Sequence, residues 1–148
     1  MRINPPAIAK KGRRGAAAVE FALILPVLLT LILGCVDFGR FGYYYLAVTN
    51  AAHAGSQNAM MNNFTASTQS TWAANASTAA KDEMTSQTGY NSASLTVTTT
   101  TSTDVNGLKR VQLTASYPFT TLVNWNLSGL AIPHTFTLAR KVEVRIIR

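Results

Sequence analysis

The sequence predicts an α+β protein: a long N-terminal helix, half membrane-spanning and half amphipathic, then a second helix and a small three-stranded antiparallel sheet. Three observations carry that expectation. A run of apolar residues long enough to cross a bilayer follows a basic leader. Beyond the run, apolar residues keep recurring at helical spacing. The last third of the chain alternates apolar with hydroxyl-bearing or charged residues at the period of a strand. At 148 residues there is room for one modest domain plus a membrane segment.

Residues 1–15 make a basic leader. Arg2, Lys10, Lys11, Arg13 and Arg14 stand there without a single acid, so five of the 13 basic residues precede Ala16. Pro5-Pro6 and the lack of apolar periodicity read as a disordered, removable segment. Most of the net charge of +7 therefore belongs to the leader, and only a small excess is left for the remaining chain. A basic cluster beside a membrane span holds its own end in the cytoplasm. Residues 37 onward are then expected across the membrane, in the periplasm of a bacterial cell. Nucleic-acid binding would need basic and aromatic residues interleaved over a folded surface, and no such patch is present in the sequence.

Residues 16–36 read as the transmembrane helix. Glu20 is the only charge in the stretch, and about 20 apolar residues suffice to span hydrocarbon. A secretory signal is the competing reading, but its apolar region runs only 7–15 residues and is followed, not preceded, by small residues. Here Ala16-Ala17-Ala18 comes before the apolar core. Pro26 removes one backbone hydrogen bond and is expected to kink the helix. Cys35, the only cysteine, lies in this segment and reads as a small apolar filler, so the outer domain must hold without an internal disulfide.

Residues 37–61 are expected to continue the same helix. Phe38, Phe41, Tyr45, Val48, Ala52, Gly55 and Ala59 recur at three- and four-residue steps and define an apolar stripe, with Asp37 and Arg40 able to pair on another face. A helix from Ala16 to Met61 would be roughly 70 Å long. The aromatic cluster Phe41, Tyr43, Tyr44 and Tyr45 fits an interfacial belt and helix packing better than a ligand cage.

Residues 62–148 are expected to form the periplasmic α+β head. Asn62–Ser70 is polar and connects to a second helix over Trp72–Gln87, whose narrow apolar face is Trp72, Ala76, Ala79, Ala80 and Met84, with Gly89 as a cap beyond. A first strand carries Leu95, Val97, Thr99, Thr101 and Thr103. Asp104-Val105-Asn106-Gly107 contains Asn-Gly, a strong hairpin signal. A second strand sets Val111, Leu113, Ala115 and Tyr117 on one face up to Pro118. After a loop through Trp125 and Pro133, a third places Phe136, Leu138, Val142, Val144 and Ile146 on one face, interrupted by Arg140. A sheet with one apolar face needs a cover, and the helices supply it.

Read together, Arg14-Gly15-Ala16-Ala17-Ala18-Val19-Glu20-Phe21-Ala22-Leu23, Leu25-Pro26, Gly34, Asp37-Phe38-Gly39-Arg40 and Thr49-Asn50-Ala51-Ala52 resemble the TadE-like pseudopilins of tight-adherence (Flp-type, type IV pilin-like) pilus systems. The resemblance covers about the first third of the chain. Phe21 stands where a tyrosine often follows the glutamate, and His53-Ala54-Gly55 where the family tends to carry Arg-Glu-Gly. The resemblance implies a minor pilin-like subunit, held in the inner membrane and processed between Gly15 and Ala16 by a prepilin peptidase. It implies further that Glu20 pairs with the new N-terminal amine of a neighbouring subunit. The partners it implies are the prepilin peptidase, other pilin-like subunits, the membrane assembly platform and the lipid bilayer. The residues alone leave two rivals open: an uncleaved single-pass envelope protein with a periplasmic binding head, and a secreted protein whose first third is a signal.

The remaining chemistry is sparse. His53 and His134 are the only histidines and have no nearby cysteine or paired acid, so neither a metal nor another cofactor is expected. Asp82 and Glu83 are adjacent on a helix and point apart, and no Gly-x-Ser-x-Gly elbow or phosphate-cradling loop occurs. The chain is expected not to be an enzyme.

Overall fold

Alanine, leucine and other straight-chain residues dominate the N-terminal third, and the chain there adopts one helix, α1 (Arg13–Met61), followed by α2 (Gln69–Thr85). A 3₁₀ turn (Ser92–Ser94) leads into β1 (Thr96–Thr103), β2 (Lys109–Thr120), β3 (Asn126–Leu127), β4 (Leu130–Ala131) and β5 (Thr135–Arg145). This computed structural model describes residues 13–62, 65, 67–87, 89–127, 130–131 and 133–146. The expected leader falls outside that set up to residue 12. The chain divides into two compact units, Met1–Val36 and Asp37–Arg148, and α1 contributes residues to both.

In the first unit the helix beyond Glu20 is apolar on every side, and none of its described residues is buried. Leu23 is 72% exposed, Val27 65% and Phe21 59%. A helix that is hydrophobic all round is either buried in a large core or lies in a membrane, and here the most apolar stretch has no buried part. It is a candidate membrane span. Helical structure runs through Pro26, whose carbonyl accepts a hydrogen bond from Thr30 Oγ1 at 2.8 Å, which satisfies the one hydroxyl in the apolar core. Cys35 is exposed on this segment, like the apolar residues around it.

The second unit is built on one face of α1. Its buried residues are Asp37, Ala47, Val48, Ala51, Ala52, Ser56 and Ala59, with Gly55 buried among them. The expected stripe is right in its second half and rotated in its first. Phe38 is 77% and Tyr45 40% exposed, while Phe41 and Tyr44 are the aromatics that pack on the core. At Gly55 three elements converge: an added Cβ would stand 2.8 Å from Leu113 Cδ1 on β2, 2.9 Å from Ala76 O on α2 and 3.1 Å from Ala80 Cβ. α2 presents Trp72, Ala76, Ala80 and Met84 to this core, as its spacing predicts, whereas Ala79, expected on the same face, is only half-buried and outside the core. The Trp72 indole donates to Ala59 O at 2.8 Å, which satisfies a carbonyl that the end of α1 leaves open.

The three long strands form an antiparallel sheet in the order β1-β2-β5. β1 registers on β2 from Thr96↔Ser116 to Thr103↔Lys109, and β2 on β5 from Arg110↔Arg145 to Thr120↔Thr135. Val111, Leu113, Ala115, Tyr117 and Phe119 alternate into the core. β2 thus runs past Pro118. β1 has already ended opposite Ser116, so at Pro118 only one neighbouring strand remains to be hydrogen-bonded. β3 and β4 make a short hairpin inside the expected loop. Gly89 has φ +89°, but α2 ends earlier, at a Ser86 cap, and the glycine serves the turn that follows.

The Asn-Gly hairpin also forms, by a different turn from the two-residue type. That type needs positive φ at both central residues, whereas Gly107 (φ +76°) takes the left-handed conformation and Asn106 does not. Gly107 N–H donates to Asp104 O at 2.8 Å, and Asp104 N–H to Leu108 O at 2.8 Å. The register sets Arg110 directly opposite Arg145, a repulsive pairing. Asp104 resolves it. Its Oδ2 accepts from Arg110 at 2.6 Å and from Arg145 at 2.5 Å, and its Oδ1 accepts from Val105 N–H at 2.8 Å.

Two outcomes are expected. Gly55→Val in the full chain should destabilise the second unit by about 1–3 kcal/mol, because Ala76 O is backbone and cannot give way; denaturation in detergent measures it. The two arginines and the Val105 N–H hold the Asp104 carboxyl down at about 2. Its contribution is therefore complete above the unfolded value near 4 and is lost as pH falls through about 2. The stability gap between the native chain and Asp104→Asn should be widest at neutral pH and close toward pH 2 in thermal melts.

Candidate functional site

The residues expected to carry processing and assembly lie at the start of α1. Gly15 and Ala16 are exposed within its first turns. An added Cβ at Gly15 would meet nothing within 4 Å, so the fold itself does not demand glycine there. Glu20 is exposed and has no ion pair among the described residues. Helix geometry puts it about one and a half turns beyond Gly15.

A second constellation, centred on Asp37, is unanticipated by the pattern of the sequence except for the Asp37–Arg40 pair. That pair exists, Arg40 Nη1 to Asp37 Oδ1 at 3.2 Å, but on the buried face of α1 and not on another face. Asp37 is only 5% exposed. Its carboxylate accepts from Leu122 N–H at 2.8 Å, Val123 N–H at 3.3 Å and the Trp125 indole N–H at 3.0 Å. An unpaired buried carboxylate would be costly; four donors converging on two oxygens offset that cost. The segment they come from is itself closed by Thr121, whose N–H donates to His134 O at 3.0 Å and whose hydroxyl donates to Val123 O at 2.8 Å. His134 is thus engaged in holding this loop, and His53 is exposed on α1.

Arg40 extends the constellation into an aromatic cluster. Its guanidinium lies 5.5 Å from the Phe119 ring centre and 5.9 Å from that of Tyr44. Phe41 meets Phe119 edge-on at 6.0 Å and Phe136 at 5.8 Å, and Tyr44 meets Tyr90 at 4.5 Å. Burial, with Tyr43, Tyr44 and Tyr117 around it, pushes the Tyr90 phenol well up, so it stays protonated. Phe41, Tyr44, Tyr90 and Phe136 pack against the buried core. The signal that could have found the Asp37 site is the coincidence of a lone acid at the end of the apolar run with a charge-free, tryptophan-bearing loop far along the chain.

These features define a class first: a small α+β unit carried on a helix whose N-terminal part is a candidate membrane span. The family comparison is more particular. Residues 15–57 match the family model described as TadE-like protein, a span that takes in Gly15, Glu20, Pro26, Asp37 and Gly55. No curated protein and no solved structure matches the chain.

Removing the central carboxylate tests the constellation. Asp37→Ala strands two backbone N–H groups and an indole, and should cost about 1.5–3 kcal/mol of stability in detergent-based denaturation, the usual scale for bonds to a charged group. Asp37→Asn keeps one acceptor oxygen and should cost less.

Proposed function

We propose that this chain is a non-enzymatic, minor pilin-like subunit serving a tight-adherence pilus or a related secretion apparatus. Its N-terminal helix is held in the inner membrane with the leader in the cytoplasm and the α+β unit in the periplasm. A prepilin peptidase cuts between Gly15 and Ala16, and Glu20 then meets the freed amine of an adjacent subunit. The partners are that peptidase, other pilin-like subunits and the membrane assembly platform.

The observation that supports this reading most is an uncovered apolar helix bearing one acid, within the segment that matches the TadE-like family model. A span that served only as an anchor would gain nothing from Glu20. A charge at the centre of a transmembrane helix costs about 2.5–3.5 kcal/mol, less toward the interface. After cleavage the acid would lie at the end of the first turn of the shortened helix, where the macrodipole favours a carboxylate by at most about 0.3–1 kcal/mol. The amine created on Ala16 has a reference pKa of about 7.7–8.0, so much of it is charged at neutral pH and available to pair.

Two variants made in a host with its own peptidase test the reading. Gly15→Leu should leave the full-length precursor, read as an intact mass that retains residues 1–15. Glu20→Ala should be processed yet fail to assemble, read as pilus yield in sheared-cell fractions. If native chain isolated from peptidase-competent cells keeps Met1, the subunit reading is wrong and the single-pass envelope protein takes its place.

A further inference from the structure

The geometry points to a second membrane contact: the loop Leu122–Trp125 rests in the bilayer interface, so that the α+β unit touches lipid as well as being tethered to it. This rests on the reading of residues 16–36 as the span.

Asp37 follows Val36, the last residue of the apolar run. Along a helix one residue adds only about 1.5 Å, so with the span ending where the apolar run ends, Asp37 is at the headgroup level. Leu122, Val123 and Trp125 are hydrogen-bonded to that same carboxylate and must lie at the same level. The loop suits the place. Residues 121–125 carry no charge, whereas loops facing water are ordinarily polar.

Leu122 is 59% exposed although its backbone is pinned, and Phe38, next to Asp37 in the chain, is 77% exposed. Among the described residues neither side chain belongs to the buried core, and Phe38 meets only the edge of the cluster at Phe41. Trp125 is half-buried, with its indole N–H already satisfied by Asp37 Oδ2. A ring of this amphipathic kind favours the membrane–water interface. Arg40, partly exposed beside them, supplies a cation where phosphate groups lie.

The occupant is therefore the lipid interface and not a soluble ligand. The loop is too shallow to span, and Leu122 with the neighbouring Phe38 is the apolar surface that lipid would cover. Its fixed backbone means that little conformational entropy is lost when the surface covers it. Two attachments, the span and the loop, would restrict how the unit tilts on the membrane, which a single helix cannot do.

The test uses the full chain reconstituted in phospholipid vesicles, with single cysteines carrying an environment-sensitive fluorophore. Leu122→Cys is made in a Cys35→Ala background, Val105→Cys in the same background, and native Cys35 is labelled by itself. Val105 is 97% exposed at the hairpin tip, and β2, with 12 residues, separates it from the loop by about 40 Å at about 3.3 Å per residue. The label at 122 is expected to shift to the blue, to lose emission to nitroxides placed near the lipid headgroups, and to resist aqueous iodide. The label at 105 should respond only to iodide, and that at 35 to lipid nitroxides.

If 35 is in lipid while 122 stays open to iodide, the loop contact is refuted and the span stands. If 122 resists both quenchers, protein covers it instead, which also refutes the contact. If 35 is not reached by any lipid nitroxide, the span itself fails, and the contact with it.

Discussion

A buried carboxylate on the helix, bonded to backbone 85 residues further along, is the interaction on which the second unit depends. Asp37 lies at one end of the buried face of α1. The other end is closed by the Trp72 indole on Ala59 O and by the contact at Gly55. Between them Phe41 and Tyr44 give way to the small residues Ala47, Val48, Ala51, Ala52 and Ser56, where the sheet and α2 can approach the helix closely. Because the helix is rigid, fixing its two ends fixes which residues of β2 meet it. Leu113 falls at Gly55, and Phe119 falls beside Phe41 and Tyr44. The strand need not choose its register by hydrophobicity alone.

The polar groups of this unit are arranged to a common logic. At one end of β2, Asp37 gathers donors from a loop; at the other, Asp104 gathers two arginines that the strand register forces together. Both acids act as acceptors where the fold would otherwise leave N–H groups or like charges unmatched. His134 is tied to Thr121, and His53 faces outward.

The first unit obeys the opposite rule. Its side chains are uncovered and apolar, and its single acid is without an ion pair among the described residues. A segment of that kind makes physical sense when lipid or another helix supplies its surroundings. The match of residues 15–57 to the TadE-like family model falls across both units, taking in the apolar segment and the small-residue face beneath the sheet. The functional reading thus joins two halves of one helix that meet quite different solvents.

Much of this was legible in the sequence because it depends on periodicity. The apolar run, the apolar faces of α2, β2 and β5, and the hairpin at Gly107 all follow from local spacing, and the structure places them as expected. Gly15, Ala16 and Glu20 are marked by charge and size within one short stretch, and the proposed processing and pairing rest on that local pattern.

What only the tertiary structure decided involves partners distant along the chain. The true buried face of α1 near residue 37 is set by what packs there, so Phe38 turns outward although its spacing fits the stripe, and Asp37 turns inward although it is charged. Periodicity counts apolar residues and is blind to a carboxylate whose burial is offset by donors from another element. β2 continues through Pro118 for a similar reason: whether a proline interrupts a strand depends on the neighbour it faces, and that neighbour is chosen by the fold.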